Sequence, residues 1–344
     1  MVEAEIKRIA VLGAGVMGHG IAQVAALSGF EVWVRDIAQE ILDKARELIE
    51  GSLRRGVERG RLTEDAMRET LNRIHMTLDL KEAVGDADLI IEAVPENLDL
   101  KRRVWSETSQ LAKGDAILAT NTSSLSINEL AEAVSGPERF LGMHFFNPPT
   151  RMKLVEVIPG ERTEQGVVEA VMKVAERMGK TPILVRRDRP GFIVNRILIT
   201  YLNEAAKLLE RGEYGKEQID SAMQYKANMP LGPFMLIDLI GVDVVYHILK
   251  VFEEKLGPEY APAKPIIELY EAGKLGRKTG EGFYNYAERP TIPEEAGEAF
   301  DPEILWRVIR GEAERVVEEG IAPKEDVDRA MKLGANLPKG PFEV

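Results

Sequence analysis

Short apolar runs alternate with longer, helix-spaced segments through the first half of the chain. "RIAVL", residues 8–12, is an apolar run that stops at "GAGVMG", and "HGIAQVAALSG" then carries apolar residues at helical spacing up to a glycine. That order predicts strand, tight turn, helix. "EVWVRD" predicts a second strand, and residues 38–61 a long helix ending in the basic cluster Arg54, Arg55, Arg59 and Arg61. "ADLIIEAVPENLDLKRRVW" reads as a buried strand, an acidic turn and a helix from near Leu98. "AILATNTSSLSINELAEAV" repeats the theme, with a strand at 116–120 and a helix capped by Ser126 with Glu129 at the third position. "RFLGMHFFNP" and, after the turn "PPTRM", "KLVEVI" supply further strands. Such alternation predicts a parallel, doubly wound sheet, whose ligands sit at the carboxyl ends of its strands.

From Pro190 the pattern turns helical: "GFIVNRILITYLNEAAKLLERG", "KEQIDSAM" and "PFMLIDLIGVDVVYHILKVFEEKLG" predict three helices. After Tyr286 comes a linker rich in proline and glutamate, and then a repeat. "KEDVDRAMKLGANLPKGPFEV", residues 324–344, matches "KEQIDSAMQYKANMPLGPFML", residues 216–236, at a constant offset of 108; Glu312, Ala313 and Gly320 align likewise with Glu204, Ala205 and Gly212. The expected organisation is residues 1–188 as a nucleotide-binding domain, 189–286 as an all-α substrate and dimerisation domain, 287–302 as linker, and 303–344 as an incomplete second copy of the helical domain. The copy stops within "GPFxLxDxxG", which suggests a fragment of a longer protein. "AFDPEILWR" stands where the first copy has "PGFIVNR", so the second copy is expected to support rather than catalyse.

Composition narrows the function. With 344 residues, 44% of them apolar, the chain can build two cores. The 57 acidic against 45 basic residues, net −12, argue against nucleic acid or an anionic membrane surface as partner, so an anionic ligand needs a local basic site. The absence of cysteine excludes disulfides, thiolate catalysis and cysteine-bound zinc, and no other ligand cluster suggests a metal. No run resembles a signal peptide or is long and apolar enough to span a bilayer, so a soluble, cytoplasmic protein is expected.

The candidate chemistry lies at strand ends. In "GAGVMG", Gly13 permits the turn, Gly15 lets the backbone approach a pyrophosphate, and Gly18 allows helix and strand to pack closely. Asp36 ends the second strand, where a carboxylate accepts the ribose hydroxyls and repels a 2′-phosphate, favouring NAD over NADP. Asn121, Ser123 and His144 also fall at carboxyl ends. Glu156 stands where it can return to His144, fix its tautomer and stabilise its protonated form. Each residue alone has a structural explanation. Together, beside a dinucleotide fingerprint, they suggest alcohol oxidation by hydride transfer.

From about residue 6 to 286 the chain resembles the L-3-hydroxyacyl-CoA dehydrogenases, on "GAGVMGHGIA", "EAVPENLDLK", "TNTSSLSI", "HFFNPPTRMKLVEV", "RPGFIVNRIL", "MPLGPFMLIDLIGVD" and "GRKTGEGFYNY". The resemblance implies a Rossmann-type α/β domain followed by an all-α one, NAD as cofactor, and an acyl-CoA thioester as substrate. It makes His144 and Glu156 the catalytic pair, with Ser123 and Asn195 contacting substrate. Its cofactor contacts fall on Gly13, Gly15, Val16, Met17, Gly18, Asp36, Glu96, Lys101, Asn121 and Lys278. Ser52 and Arg59 match the serine and lysine that hold coenzyme A, and the arginine departs from the family's lysine. A homodimer, or a fused or associated enoyl-CoA hydratase domain, is the implied partner. Competing expectations are a relative acting on a free hydroxyacid or sugar acid, such as a gulonate dehydrogenase, and an NAD-binding protein without turnover. Ser52 and the adjacent arginines favour the CoA substrate.

Overall fold

The computed structural model describes residues 6–343 and divides into two units, one ending at Asp188 and the other beginning at Arg189. The first contains β1 (Arg8–Leu12), α1 (Gly18–Leu27), β2 (Glu31–Arg35), α2 (Gln39–Glu58), α3 (Glu64–Asn72), β3 (Ile74–Thr77), α4 (Leu80–Val84), β4 (Leu89–Glu92), α5 (Leu98–Leu111), β5 (Ile117–Thr120), α6 (Ile127–Ala131), β6 (Phe140–Phe145), β7 (Leu154–Pro159), α7 (Gln165–Arg177) and β8 (Thr181–Leu184). The strands form one sheet in the order β3-β2-β1-β4-β5-β6-β7-β8. β4, β5 and β6 are buried at every residue, which is why their sequences are mainly apolar, with Glu92, Thr120 and His144 placed toward their carboxyl ends; β2, next to the edge strand, alternates. Helix α2 buries Leu42, Ala45, Ile49 and Leu53, one face at helical spacing. Thr63, Asp79, Asn97 and Ser126 cap α3, α4, α5 and α6 through their side chains, at about 1 kcal/mol each.

One pairing departs from the parallel expectation. β7 runs antiparallel to β6, because residues 146–153 make too short a connection for a parallel crossover. This antiparallel register sets His144 directly opposite Glu156. Helix α7 then returns the chain so that β8 lies parallel to β7.

The second unit contains α8 (Val194–Glu210), α9 (Lys216–Ser221), α10 (Pro233–Ile240), α11 (Val242–Leu256), α12 (Lys264–Glu271), α13 (Glu303–Glu318) and α14 (Lys324–Gly334). Helix α8 is its centre: α10 to α14 all pack on it, and it buries Val194, Ile197, Leu202, Ala205 and Ala206, among others. The single helix expected over "PFMLIDLIGVDVVYHILKVFEEKLG" is two, broken at Gly241, whose φ of 110° ordinary residues avoid. The expected linker is packed: Ile292 and Phe300 are buried, and Ser221 Oγ donates to the carbonyls of Pro293 and Glu294.

Candidate active site

The glycine loop joins β1 to α1 with the geometry its residues dictate. Gly13 has φ 95°, and a Cβ there would stand 2.7 Å from the Ala93 carbonyl oxygen. A Cβ on Gly18 would collide with the Gly13 carbonyl at 1.7 Å, whereas one on Gly15 would meet open space. Only Gly15 therefore leaves room for a ligand against the backbone. Val16 is exposed and Met17 half-buried; no side chain caps α1, whose first amides are of the kind that binds pyrophosphate. Asp36 is held in place by its neighbours, with Oδ2 accepting the Ala14 amide and Oδ1 the Ile37 amide, each at 2.7 Å. An open Gly15, an uncapped helix start and a fixed carboxylate fit the pyrophosphate and ribose of a dinucleotide.

At the carboxyl end of β6, His144 Nδ1 lies 2.8 Å from Glu156 Oε2, with His144 5% and Glu156 0% exposed. The ring tilts against Phe146 at 4.4 Å between centroids. A carboxylate with no solvent fixes the orientation of the ring through Nδ1. Asn121 Oδ1 accepts the amide of Phe145 at 2.8 Å, so it tethers the strand end one residue beyond His144.

Glu96 organises the neighbouring turn. Its Oε1 accepts the hydroxyl of Thr122 at 2.6 Å, the amide and hydroxyl of Ser123 at 2.8 and 3.3 Å, and those of Ser124 at 3.0 and 3.1 Å. Burial works to raise the Glu96 pKa, but the charge of Lys101 and these donors outweigh it and hold the carboxyl below its ordinary value. Lys101 is only 1% exposed and meets Glu92 Oε1 at 2.6 Å, the Val94 carbonyl at 3.1 Å and Glu96 Oε2 at 3.4 Å. Its ammonium is turned into the protein, so this residue, expected at the cofactor, bears on the site through Glu96. Sequence reasoning passed over Thr122, Ser124, Glu92 and Thr120, whose hydroxyl reaches Glu92 Oε2 at 2.8 Å. The run of hydroxyl residues in "TNTSS" was the signal.

Ser52 accepts from Gln23 Nε2 at 3.0 Å, linking α2 to α1, and Arg59 is exposed at the end of α2. Asn195 and Lys278 belong to the helical unit. Asn195 is half-buried in the first turn of α8, and Lys278 Nζ pairs with Asp243 Oδ1 at 2.5 Å. Among the described residues no group of three metal-ligating side chains forms, and no helix is long and apolar enough to cross a membrane.

Two family models match this chain: the NAD binding domain of 3-hydroxyacyl-CoA dehydrogenase over residues 8–189, and its C-terminal domain over residues 191–286 and again over 304–344. A 3-hydroxybutyryl-CoA dehydrogenase of Bradyrhizobium diazoefficiens is 42% identical over 291 residues, 84% of this chain and 99% of that protein. A fatty acid oxidation complex subunit alpha of Psychrobacter cryohalolentis is 44% identical over 286 residues, 82% of this chain and 39% of that protein. The crystal structure of a 3-hydroxybutyryl-CoA dehydrogenase from Escherichia coli superimposes with a TM-score of 0.91 at 30% identity, covering 98% of this chain and 90% of that one. With both domain models matched over nearly the whole chain, the protein belongs to the 3-hydroxyacyl-CoA dehydrogenase family.

Proposed function

We propose that the chain catalyses the reversible, NAD-dependent oxidation of L-3-hydroxyacyl-CoA to 3-oxoacyl-CoA, as a step of fatty acid β-oxidation or short-chain acyl-CoA metabolism. The observation that carries this reading is the buried His144–Glu156 pair, 2.8 Å apart at a strand end of a dinucleotide-binding sheet. Bound NAD supplies the hydride acceptor. His144 Nε2 takes the proton of the substrate 3-hydroxyl and returns it in the reverse direction, while Glu156 keeps the Nδ1 proton in place and stabilises the imidazolium. The Ser123 hydroxyl, positioned by Glu96, and Asn195 hold the reacting oxygen and the acyl carbonyl. Val16, Met17, Asp36 and Asn121 line the cofactor, with Lys278 as a further contact; Ser52 and Arg59 hold coenzyme A. The fatty acid oxidation subunit among the relatives supports association with a further β-oxidation activity such as an enoyl-CoA hydratase, and a homodimer is the alternative assembly. A cysteine-free chain suits the reducing cytoplasm.

The test is loss of NADH absorbance with acetoacetyl-CoA, with free acetoacetate as control. Turnover of the thioester alone is expected, and His144→Gln lowers kcat by about 10²–10⁴-fold. Turnover of neither compound, or full activity in His144→Gln, overturns the reading.

A further inference from the structure

The connection between β6 and β7, residues 146–153, carries His144 on one side and Glu156 on the other. Lys180, the residue before β8, reaches back to this connection from the next strand. Its Nζ donates to the carbonyls of Pro149 and, at 2.8 Å, Met152, so one ammonium holds both ends of the turn. Inside the turn, the Arg151 and Met152 amides both bond the Pro148 carbonyl at 3.0 Å, closing it further. The turn also rests on the cofactor helix: a Cβ on Gly20 of α1 would meet the Pro149 ring at 3.1–3.4 Å. At its base, the Thr181 amide donates to the Lys153 carbonyl at 2.8 Å. Asn121 tethers the other side of the strand end.

We propose that Lys180 is a positioning residue, whose ammonium clasps the β6–β7 turn through two carbonyls and so fixes the His144–Glu156 pair relative to α1. This rests on the role given above to His144. The physical argument is one of reach and direction. Hydrogen bonds from a charged donor are about twice as strong as neutral ones, and the two acceptors lie on either side of the turn's tip. Without them the turn is free to lift off Gly20 and to slide the β6 end against β7. A displacement near 1 Å at a reacting group costs about 10²-fold in rate. Burial, with the charge of Lys153 added, pushes the Lys180 amine down to about 8. Arginine, charged at every working pH, is therefore the conservative replacement.

The experiment compares the wild-type chain, Lys180→Met, Lys180→Arg and His144→Gln in the acetoacetyl-CoA assay at pH 7, with thermal unfolding midpoints and the imidazole NMR signals of the four histidines. Lys180→Met is expected to lower kcat at least tenfold with KM within about twofold and to shift the His144 signals, and Lys180→Arg to recover most of the rate. Wild-type kcat in Lys180→Met, or an Arg variant as impaired as the Met one, overturns the proposal. If Lys180→Met does not fold, Lys180→Gln, a neutral donor, is judged by the same criteria. Activity surviving in His144→Gln marks failure of the underlying reading instead, so the two failures are distinguishable.

Discussion

Asn228 and Asn336, 108 residues apart, both adopt positive φ, 55° and 54°, and Gly212 and Gly320 do so at 66° and 69°. Asp220 accepts the amide of Phe234 at 2.8 Å, and Asp328 that of Phe342 at 2.9 Å. A Cβ on either Gly232 or Gly340 would stand 2.4 Å from the aspartate of its own copy. The two helical copies thus share these turn and capping devices. They differ at the start of their long helices, where α8 opens on "PGFIVNR" and α13 on "DPEILWR". These turn and capping residues are present twice; Asn195, proposed above to hold substrate, is present once, so the two copies separate that proposed role from the residues both helical copies use to fold.

The sharpest way to break that separation is at the paired positions 195 and 303. Asn195→Ala is expected to lower kcat/KM for acetoacetyl-CoA by about 10²–10³-fold, the loss typical of a donor aimed at a developing charge. Glu303→Ala, on the second copy, removes an exposed ion pair with Arg310 and leaves kcat/KM within about twofold. Equal losses in steady-state assays of the two variants would make both helix starts structural.

A second contrast concerns Glu204 and Glu312, which also align. Glu204 is partly exposed on α8 and pairs with Arg211 at 3.1 Å. Glu312 is 3% exposed and bonds Arg196, with Tyr260 donating to its Oε1 at 3.0 Å and Arg315 to its Oε2 at 3.2 Å. Arg196 itself is 2% exposed, and among the described residues Glu319, at 3.0 Å, is its second carboxylate. Glu312→Ala is therefore expected to cost about 3 kcal/mol in urea unfolding, because it strands a buried guanidinium, and Glu204→Ala about 0.5 kcal/mol or less. The second copy would then stabilise α8 next to Asn195 without touching substrate.

The same contrast explains what the sequence disclosed. Strands buried on both faces and the glycine loop were legible because burial and tight turns restrict residue choice locally. The repeat was legible because both copies keep the same turn residues. The burial of Lys101 was not, since lysines are mostly exposed and only the positions of Glu92 and Glu96 in space bring its ammonium inside. Nor was the break at Gly241: the apolar pattern continues through it, and a single glycine within a helical pattern does not by itself signal an end. β3, β8 and α4 are only 4, 4 and 5 residues long, too short to carry a period, whereas α7, which buries Val167, Val171 and Val174 at helical spacing, was legible and was passed over. The antiparallel step at β7 follows from connection length, which "PPTRM" suggested only as a turn.

The smallest contrast is electrostatic. In the first copy Asp220 is wholly buried, receives the Phe234 and Met235 amides and the Tyr284 hydroxyl, and has Asp238 nearby. Burial pushes it up to about 7, against hydrogen bonds that act to lower it, with Asp238 adding to the rise. The folded chain therefore keeps a proton that the unfolded chain releases near pH 4. In that interval the folded state binds more protons, so stability falls as pH rises from about 4 and levels off once Asp220 has ionised above about 7. Urea unfolding at pH 5 and pH 8 should register this group as a loss of roughly 2 kcal/mol at the higher pH. Asp220→Asn cannot titrate and is expected to remove that part of the slope, while losing some stability at both pH values because an amide cannot accept all three bonds as well. An unchanged slope in Asp220→Asn would assign the pH response to other groups and would leave the two aspartate caps alike in kind, differing only in the partners that surround them.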